Sequence, residues 1–177
     1  YRALISSPHQ VALCARETSL SGLLEKIRAY WMLPRLTDEQ VLQALTYCNQ
    51  IALAQVPSLF DTGWMPRRYH ANSQTLSWCI PQGHPEQAFH DQYIERCYQQ
   101  CLFNQIVSPR TLLRELSFGH TQSSRPAGFI FHLSRCGSTL VSGCLSEISS
   151  TSVLSESPVL TEILLDSALT DSEKQQF

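Results

Sequence analysis

The sequence predicts an α/β fold in two parts: a mainly helical N-terminal region over residues 1–121, and the opening βαβ unit of a parallel-sheet domain over residues 122–177. Apolar residues recur at helical spacing in several segments before residue 104, as the buried face of an amphipathic helix requires. After the polar, proline-containing segment 122–127, the pattern changes abruptly to an apolar run, a glycine-containing loop and another periodic segment. We therefore place the domain boundary at that polar segment.

The first half of the N-terminal region contains two predicted helices. One runs from residue 19 to about residue 31, where Pro34 follows and prevents its continuation. The second begins where Thr37 and Gln40 stand at the spacing of a capping box, and its apolar stripe continues toward residue 57. Together these two segments predict a helical hairpin.

The second half of the N-terminal region predicts one short strand and two helices. The apolar run 75–80 is typical of a strand, and the proline and glycine that follow it indicate a turn. Residues 86–103 carry apolar side chains at near-helical spacing. Ser108 and Pro109 have the order of an N-cap and first helical residue, which predicts another short helix.

The C-terminal region has the order strand, loop, helix, strand. Residues 128–133 form an apolar run, residues 137–148 have the period of a helix, and residues 151–154 form a short second apolar run. The chain begins at Tyr1 rather than at methionine and ends at Phe177 within helix-competent sequence. We therefore expect it to be a portion of a longer protein.

Composition narrows the classes of function. The 177 residues are 43% apolar and carry a formal net charge of −2, without the long basic run of a protein that binds nucleic acid. No apolar run approaches the roughly 18 to 20 residues of a membrane span. Seven cysteines without a CxxC pair favour reduced thiols in a cytoplasm over a zinc site, and we expect no metal.

The loop after the first apolar run of the C-terminal region is the strongest candidate site. The first N–H groups of a helix lack partners within the helix, and the helix dipole adds positive charge there, so a loop that leads into a helix suits an anion. Glycine permits close backbone approach, hydroxyls add donors, and Arg135 adds a permanent cation. An ordinary helix cap, with Arg135 a solvated charge, is the alternative. The candidate binding residues are Ser134, Arg135, Cys136, Gly137, Ser138, Thr139 and Leu140.

The loop differs from the nucleoside-triphosphate motif GxxxxGK[ST]. His132 stands where that motif has its first glycine, and Ser138 stands where it has its lysine. An ordinary ATP or GTP site is therefore disfavoured. The positive charge is in the loop rather than on the helix. In that position it can stabilise a departing phosphate group without the help of a metal ion.

The segment Arg135–Leu140, RCGSTL, resembles the 5′-phosphosulfate loop [KR]-x-G-[ST]-[ST] of P-loop-type sulfotransferases. It is most similar to the loop of bacterial sulfotransferase family proteins and of the tyrosyl-protein and trehalose sulfotransferase branch. The resemblance implies a P-loop-type parallel-sheet domain, 3′-phosphoadenosine-5′-phosphosulfate as co-substrate and an unknown hydroxyl or amine acceptor. It also implies catalytic roles for Arg135, which stabilises charge on the bridging oxygen, and for Glu156, a general base within LSESP.

Several alternatives remain open at this point. Glu156 could equally be a neighbour of the N-cap of the following helix. The loop could equally belong to a non-catalytic nucleotide-binding or phosphate-binding module. A kinase-like phosphotransferase would need a magnesium carboxylate, which only Glu156 or Asp166 offers. The family also needs a later arginine and serine for the 3′-phosphate, which we expect beyond Phe177. Segments 64–70 and 109–116 are faintly similar to the same bacterial proteins, and the first, aromatic and basic, suits either an acceptor, a nucleotide or packing.

Overall fold

The computed structural model describes residues 1–54, 59–85, 87, 89–116, 127–133, 135–148, 151 and 153–174. In these ranges the fold is mixed α/β and mostly helical, with a four-stranded sheet. The helices are α1 (Arg2–Ile5), α2 (Pro8–Ala15), α3 (Leu20–Trp31), α4 (Asp38–Gln50), α5 (His90–Gln100), α6 (Leu102–Ile106), α7 (Ser138–Ser146), α8 (Pro158–Leu165) and α9 (Asp171–Lys174). The strands are β1 (Ala52–Leu53), β2 (Met65–His70), β3 (Thr75–Cys79) and β4 (Arg110–Leu112). None of the helices in the described ranges is long and apolar enough to cross a membrane.

The predicted helical hairpin is confirmed as α3 and α4, but the predicted extension of the second helix toward residue 57 is wrong, because α4 ends at Gln50 and Ala52–Leu53 form strand β1. The hydroxyl of Ser19 accepts from the N–H of Gly22 at the start of α3. At the start of α4, Thr37 and Gln40 form the full capping box, each side chain accepting from the backbone N–H of the other residue. Helix α3 ends at Met32, which lies in the left-handed region with φ 58°. Local side-chain chemistry therefore sets both helix starts.

The sheet lies within the N-terminal region and has the order β1-β4-β3-β2. Strand β4 is parallel to β1 and antiparallel to β3, and β2 is antiparallel to β3. The predicted strand over residues 75–80 is confirmed as β3. The predicted helix after Ser108 is wrong, because residues 110–112 pair with two strands and the carbonyl of Pro109 accepts from the N–H of Trp78.

The predicted helix over residues 86–103 is present in two pieces, α5 and α6. Asn104, which is 1% exposed, joins them to the end of β3. Its Oδ1 accepts from the N–H of Ile80 at 2.7 Å, and its Nδ2 donates to the carbonyls of Ile80 at 2.8 Å and of Cys97 at 2.9 Å. This buried amide satisfies three backbone groups that would otherwise lack partners.

One hydrophobic core joins the N-terminal helices, the sheet and part of the C-terminal region. Leu23 of α3, Leu45 of α4 and Trp78 of β3 are fully buried in it. Helix α8 packs against β2 and adds Val159 and Ile163 to the same core. The predicted domain boundary at residue 122 lies outside the described residues and stays a prediction.

The C-terminal region contains the predicted helix as α7, but its described residues do not form the βαβ unit. Residues 128–133, and residues 151, 153 and 154, have no regular secondary structure. A strand is stabilised by hydrogen bonds to a neighbouring strand, and no described segment pairs with either run. Phe129 is accordingly 75% exposed and Phe131 is 92% exposed. The expectation of formed strands at these two places is therefore not met in this structure.

Candidate anion-binding site

The backbone of the candidate loop has the turn that its glycine predicts. Gly137 precedes α7 as its N-cap residue, with φ 88°, a left-handed conformation that glycine adopts without steric cost. Arg135 also lies in the left-handed region, with φ 60°. A non-glycine residue in this region is strained by about 1 to 3 kcal/mol, and such residues are concentrated at functional sites.

The start of α7 has backbone donors without a partner among the described residues. Gly137 has no side chain, and the N–H groups of Ser138 and Thr139 find no acceptor there. The N–H of Leu140 donates to the carbonyl of Gly137 at 3.0 Å, so Leu140 offers no free backbone donor. As far as the described residues show, two backbone amides and two hydroxyls can contact an anion at this helix N-terminus.

The loop cation is accessible. Arg135 and Cys136 are both exposed, and Arg135 forms no ion pair with any residue that the structure describes. Ser134 lies outside the described residues. The guanidinium of Arg135 is thus available for an anion bound at the start of α7, where a bidentate contact suits a phosphate or sulfate group.

Glu156 lies near the segment that leads into the loop. Its Oε1 is 3.7 Å from Nε2 of His132, with side chains 53% and 32% exposed. Glu156 itself has φ 47°, which places a second non-glycine residue of this region in the left-handed conformation. From the sequence, His132 was identified only as the residue at the first glycine of the nucleotide motif, and it was not paired with Glu156. Its position shortly before the loop was the one sequence signal for a place near the site.

The segment that carries Glu156 is fixed on both sides. The carbonyl of Ser155 accepts a 2.9 Å hydrogen bond from the N–H of His90, the first residue of α5. Ser157 is buried and precedes Pro158, the first residue of α8. Burial lowers the pKa of the His90 imidazole from its usual range. Two helices therefore hold the backbone that presents Glu156.

A polar cleft of about 490 Å³ runs along α7 from Thr139. It is lined by His84, Pro85, Gln87, Thr139, Ser142, Gly143, Ser146, Glu147, Val153 and Ser155. Gln87 also has a buried Oε1 atom without a donor among the described residues, but this atom is not accessible to solvent. The polar side chains of the lining suit an occupant that forms hydrogen bonds.

Asp166, the other carboxylate considered for a metal, is engaged elsewhere. Its Oδ2 accepts a 2.6 Å hydrogen bond from the hydroxyl of Tyr69 in β2. Within the part of the chain that the structure describes, no three side chains of His, Cys, Asp or Glu are grouped to hold a metal ion. Asp166 therefore has a structural partner in Tyr69.

Comparisons of this chain with protein-family models, with curated proteins and with solved structures find no match. A proposal for the function of the chain therefore has to be based on its own residues. The loop before α7, the neighbouring Glu156 and the cleft along α7 are the features that carry chemistry.

Proposed function

We propose that this chain belongs to an enzyme that transfers a sulfuryl group from 3′-phosphoadenosine-5′-phosphosulfate to an acceptor hydroxyl or amine. The observation that carries the proposal is the proximity of His132 and Glu156, 3.7 Å apart, because it brings the proposed base to the segment that enters the anion loop. The cation and the amides follow His132 in the chain, and the carboxylate of Glu156 lies beside His132. Positioning and charge stabilisation are what such groups contribute to a group-transfer reaction.

The residues of the loop fit a 5′-phosphosulfate group. The N–H groups of Ser138 and Thr139, which have no acceptor among the described residues, would hold its oxygens together with their hydroxyls at the positive end of α7. Arg135 would neutralise charge on the bridging oxygen. Gly137 leaves the approach open, because no heavy atom of the described residues beyond its two chain neighbours lies within 4 Å of the place where its Cβ would be. Ser134, Cys136 and Leu140 complete the loop in this proposal.

When bound, the co-substrate would supply an activated sulfuryl group. The chain's own residues position the reacting groups and stabilise the charge that develops on them. Arg135 stabilises the negative charge that develops as the bond to the phosphate breaks. Glu156 accepts the proton of the acceptor hydroxyl, and His132 beside it restrains the carboxylate. Because sulfuryl transfer is a loose in-line displacement like phosphoryl transfer, such positioning supplies most of the acceleration.

The cleft along α7 is the proposed place of the acceptor. It begins at Thr139 of the loop and reaches Ser155, which precedes Glu156. Among the described residues its lining is polar and includes the carboxylate of Glu147, but neither arginine nor lysine. A neutral, hydroxyl-bearing acceptor fits this lining better than an anionic one.

We also propose that residues 128–133 become the first strand of a P-loop-type parallel sheet when neighbouring strands pair with them. Phe129, Phe131 and Leu133 form an exposed apolar run directly before the loop. Strands of parallel sheets are apolar on both faces because helices cover both sides. The run therefore has the composition of a strand, although the described residues provide no partner for it.

A transfer assay tests the proposal. The protein expressed from its complete coding sequence is incubated with 3′-phosphoadenosine-5′-[³⁵S]phosphosulfate and a panel of hydroxyl and amine acceptors, and labelled products are separated. We expect label on at least one hydroxyl acceptor. Nucleotide binding without transfer would favour a non-catalytic binding module, and absence of both would contradict the proposal.

A further inference from the structure

A row of polar residues crosses one face of the sheet away from the loop. In the sheet, Arg68 of β2 is paired with Ser77 of β3, and Ser77 is paired in turn with Arg110 of β4. Side chains of directly paired residues lie on the same face, and neighbouring strands are about 4.8 Å apart. The two arginines therefore flank Ser77 across about 10 Å, a span that their long side chains can close on one anion.

The positive charges of this row are not neutralised by the described residues. Neither Arg68 nor Arg110 forms an ion pair there, whereas Arg28 pairs with Asp38. Arg67, at the bulge beside Arg68, lies over the ring of Tyr98 at 4.0 Å. An aromatic face leaves the charge of Arg67 uncompensated by a carboxylate. Three guanidinium groups thus contribute positive potential to one patch.

His70 and Ser77 complete the patch. The Nε2 atom of His70 is 3.3 Å from Oγ of Ser77, which is 5% exposed and also donates to the carbonyl of Arg68. Burial, followed by the positive charges of Arg110, Arg68 and Arg67, lowers the pKa of His70. The arginine charges therefore act on the position that His70 occupies, which agrees with the geometry from the register.

We infer that Arg68, Arg110 and His70, above Ser77, form a binding site for a tetrahedral oxyanion, the phosphate or sulfate group of a small monoester. Two guanidinium forks match the oxygens of such a group, and the imidazole adds a third donor when it is protonated. Arg68 and Arg110 come from the two segments, 64–70 and 109–116, which were assigned no single role from the sequence. This site does not rest on the proposed sulfuryl transfer.

The test uses inorganic sulfate as the probe, in the Arg135→Ala background, so that the loop before α7 does not contribute its cation. Sulfate is titrated against chloride at constant ionic strength, and the histidine side-chain resonances are followed by nuclear magnetic resonance. We expect saturable shifts of the His70 resonances, with half-saturation in the millimolar range. Arg68→Gln or Arg110→Gln should raise that concentration at least about tenfold, and Arg35→Gln, an exposed control, should leave it unchanged.

Arg68 is exposed, so Arg68→Gln decides the matter if Arg110→Gln perturbs folding. No saturable shift at His70 would overturn the inference, as would equal weakening by Arg35→Gln, which would indicate general charge screening. Phenyl sulfate and phenyl phosphate, added as competitors, distinguish the two ester classes by which one displaces sulfate at lower concentration. If neither displaces it, the site does not bind a monoester.

A pH series gives an independent readout. The charged groups that face His70 are Arg67 and Arg68 on its own strand and Arg110 on β4. A bound anion favours the protonated imidazole, so sulfate affinity should rise as the pH falls from about 8 to 5. His70→Asn should remove this dependence while sulfate still binds through the arginines. A pH dependence that persists in His70→Asn would contradict the assignment of His70.

Discussion

The hydroxyl of Tyr69 donates a 2.6 Å hydrogen bond to Oδ2 of Asp166, which ties strand β2 to the residue that follows helix α8. This contact joins parts of the chain that are distant in sequence. Tyr69 is 4% exposed, and burial followed by this hydrogen bond raises its pKa. The same bond, together with the N–H of Ala168, lowers the pKa of Asp166.

The Tyr69–Asp166 contact predicts a pH-dependent loss of stability in Tyr69→Phe. A carboxylate whose pKa is lower in the folded state stabilises the fold above its unfolded pKa, about 3.9, and this contribution is lost as the pH falls below it. The variant should therefore unfold at lower urea concentration than wild type at pH 7. The difference should shrink as the pH approaches 3. A constant difference across that range would show that Asp166 does not participate.

The buried Asn104 predicts a large effect on stability. Asn104→Ala leaves the N–H and carbonyl of Ile80 and the carbonyl of Cys97 without partners inside the protein. Since each buried group left unpaired costs about 1 to 3 kcal/mol, with partial relaxation, the free energy of unfolding should fall by about 2 to 4 kcal/mol. Urea denaturation measures it. Asn72→Ala, in an exposed turn, should change it by less than about 0.5 kcal/mol.

Predictions from the sequence succeeded where neighbouring residues determine the structure. They failed where hydrogen bonds between strands determine it. Ser7 and Pro8 begin helix α2, with the hydroxyl of Ser7 accepting from the N–H of Gln10. The same dipeptide at Ser108 and Pro109 precedes strand β4 instead. The two sequences are equivalent locally, and the difference arises from hydrogen bonds that β3 and β1 offer to residues 110–112. A sequence pattern does not contain that information.

The candidate anion-binding site was likewise predictable only where it depends on residues that are adjacent in the chain. The turn at Gly137 and the start of α7 follow from residues that are adjacent in the chain. The contact between His132 and Glu156 joins two segments separated by a whole helix, so only the fold reveals it. Strand β2 was missed because a bulge between Pro66 and Arg68 interrupts the alternation that identifies a strand.

Two glycines of the C-terminal region predict opposite effects of alanine. Gly137 has φ 88°, so Gly137→Ala should destabilise the loop by about 1 to 2 kcal/mol. Gly143 lies inside α7, and outside the backbone of α7 and the two chain neighbours no described heavy atom lies within 4 Å of the position that a Cβ would take. Gly143→Ala should therefore stabilise the fold by about 0.5 to 1 kcal/mol. Thermal unfolding of the two variants measures both. Equal shifts would indicate that the loop does not need the left-handed turn.

If Glu156 is the general base, its substitution should lower turnover without weakening the binding of nucleotide. A base that acts only in the transition state can be lost without loss of nucleotide affinity. In the sulfate-transfer assay, Glu156→Gln should lower kcat by roughly 10² to 10⁴, the usual contribution of general base catalysis. The control is Glu162→Gln on the exposed side of α8. Wild-type turnover in Glu156→Gln would assign Glu156 to the fold and place the base elsewhere.

The most direct test of the anion loop is the affinity for adenosine 3′,5′-bisphosphate, measured by titration calorimetry on the protein expressed from its complete coding sequence. Arg135→Ala removes the exposed loop cation. A hydrogen bond to a charged group contributes about 1.5 to 3 kcal/mol, so the dissociation constant should rise about 10- to 150-fold. Arg35→Ala should leave it unchanged. Equal affinity of Arg135→Ala and wild type, or no binding by wild type, would contradict the assignment of the loop before α7 as the nucleotide site.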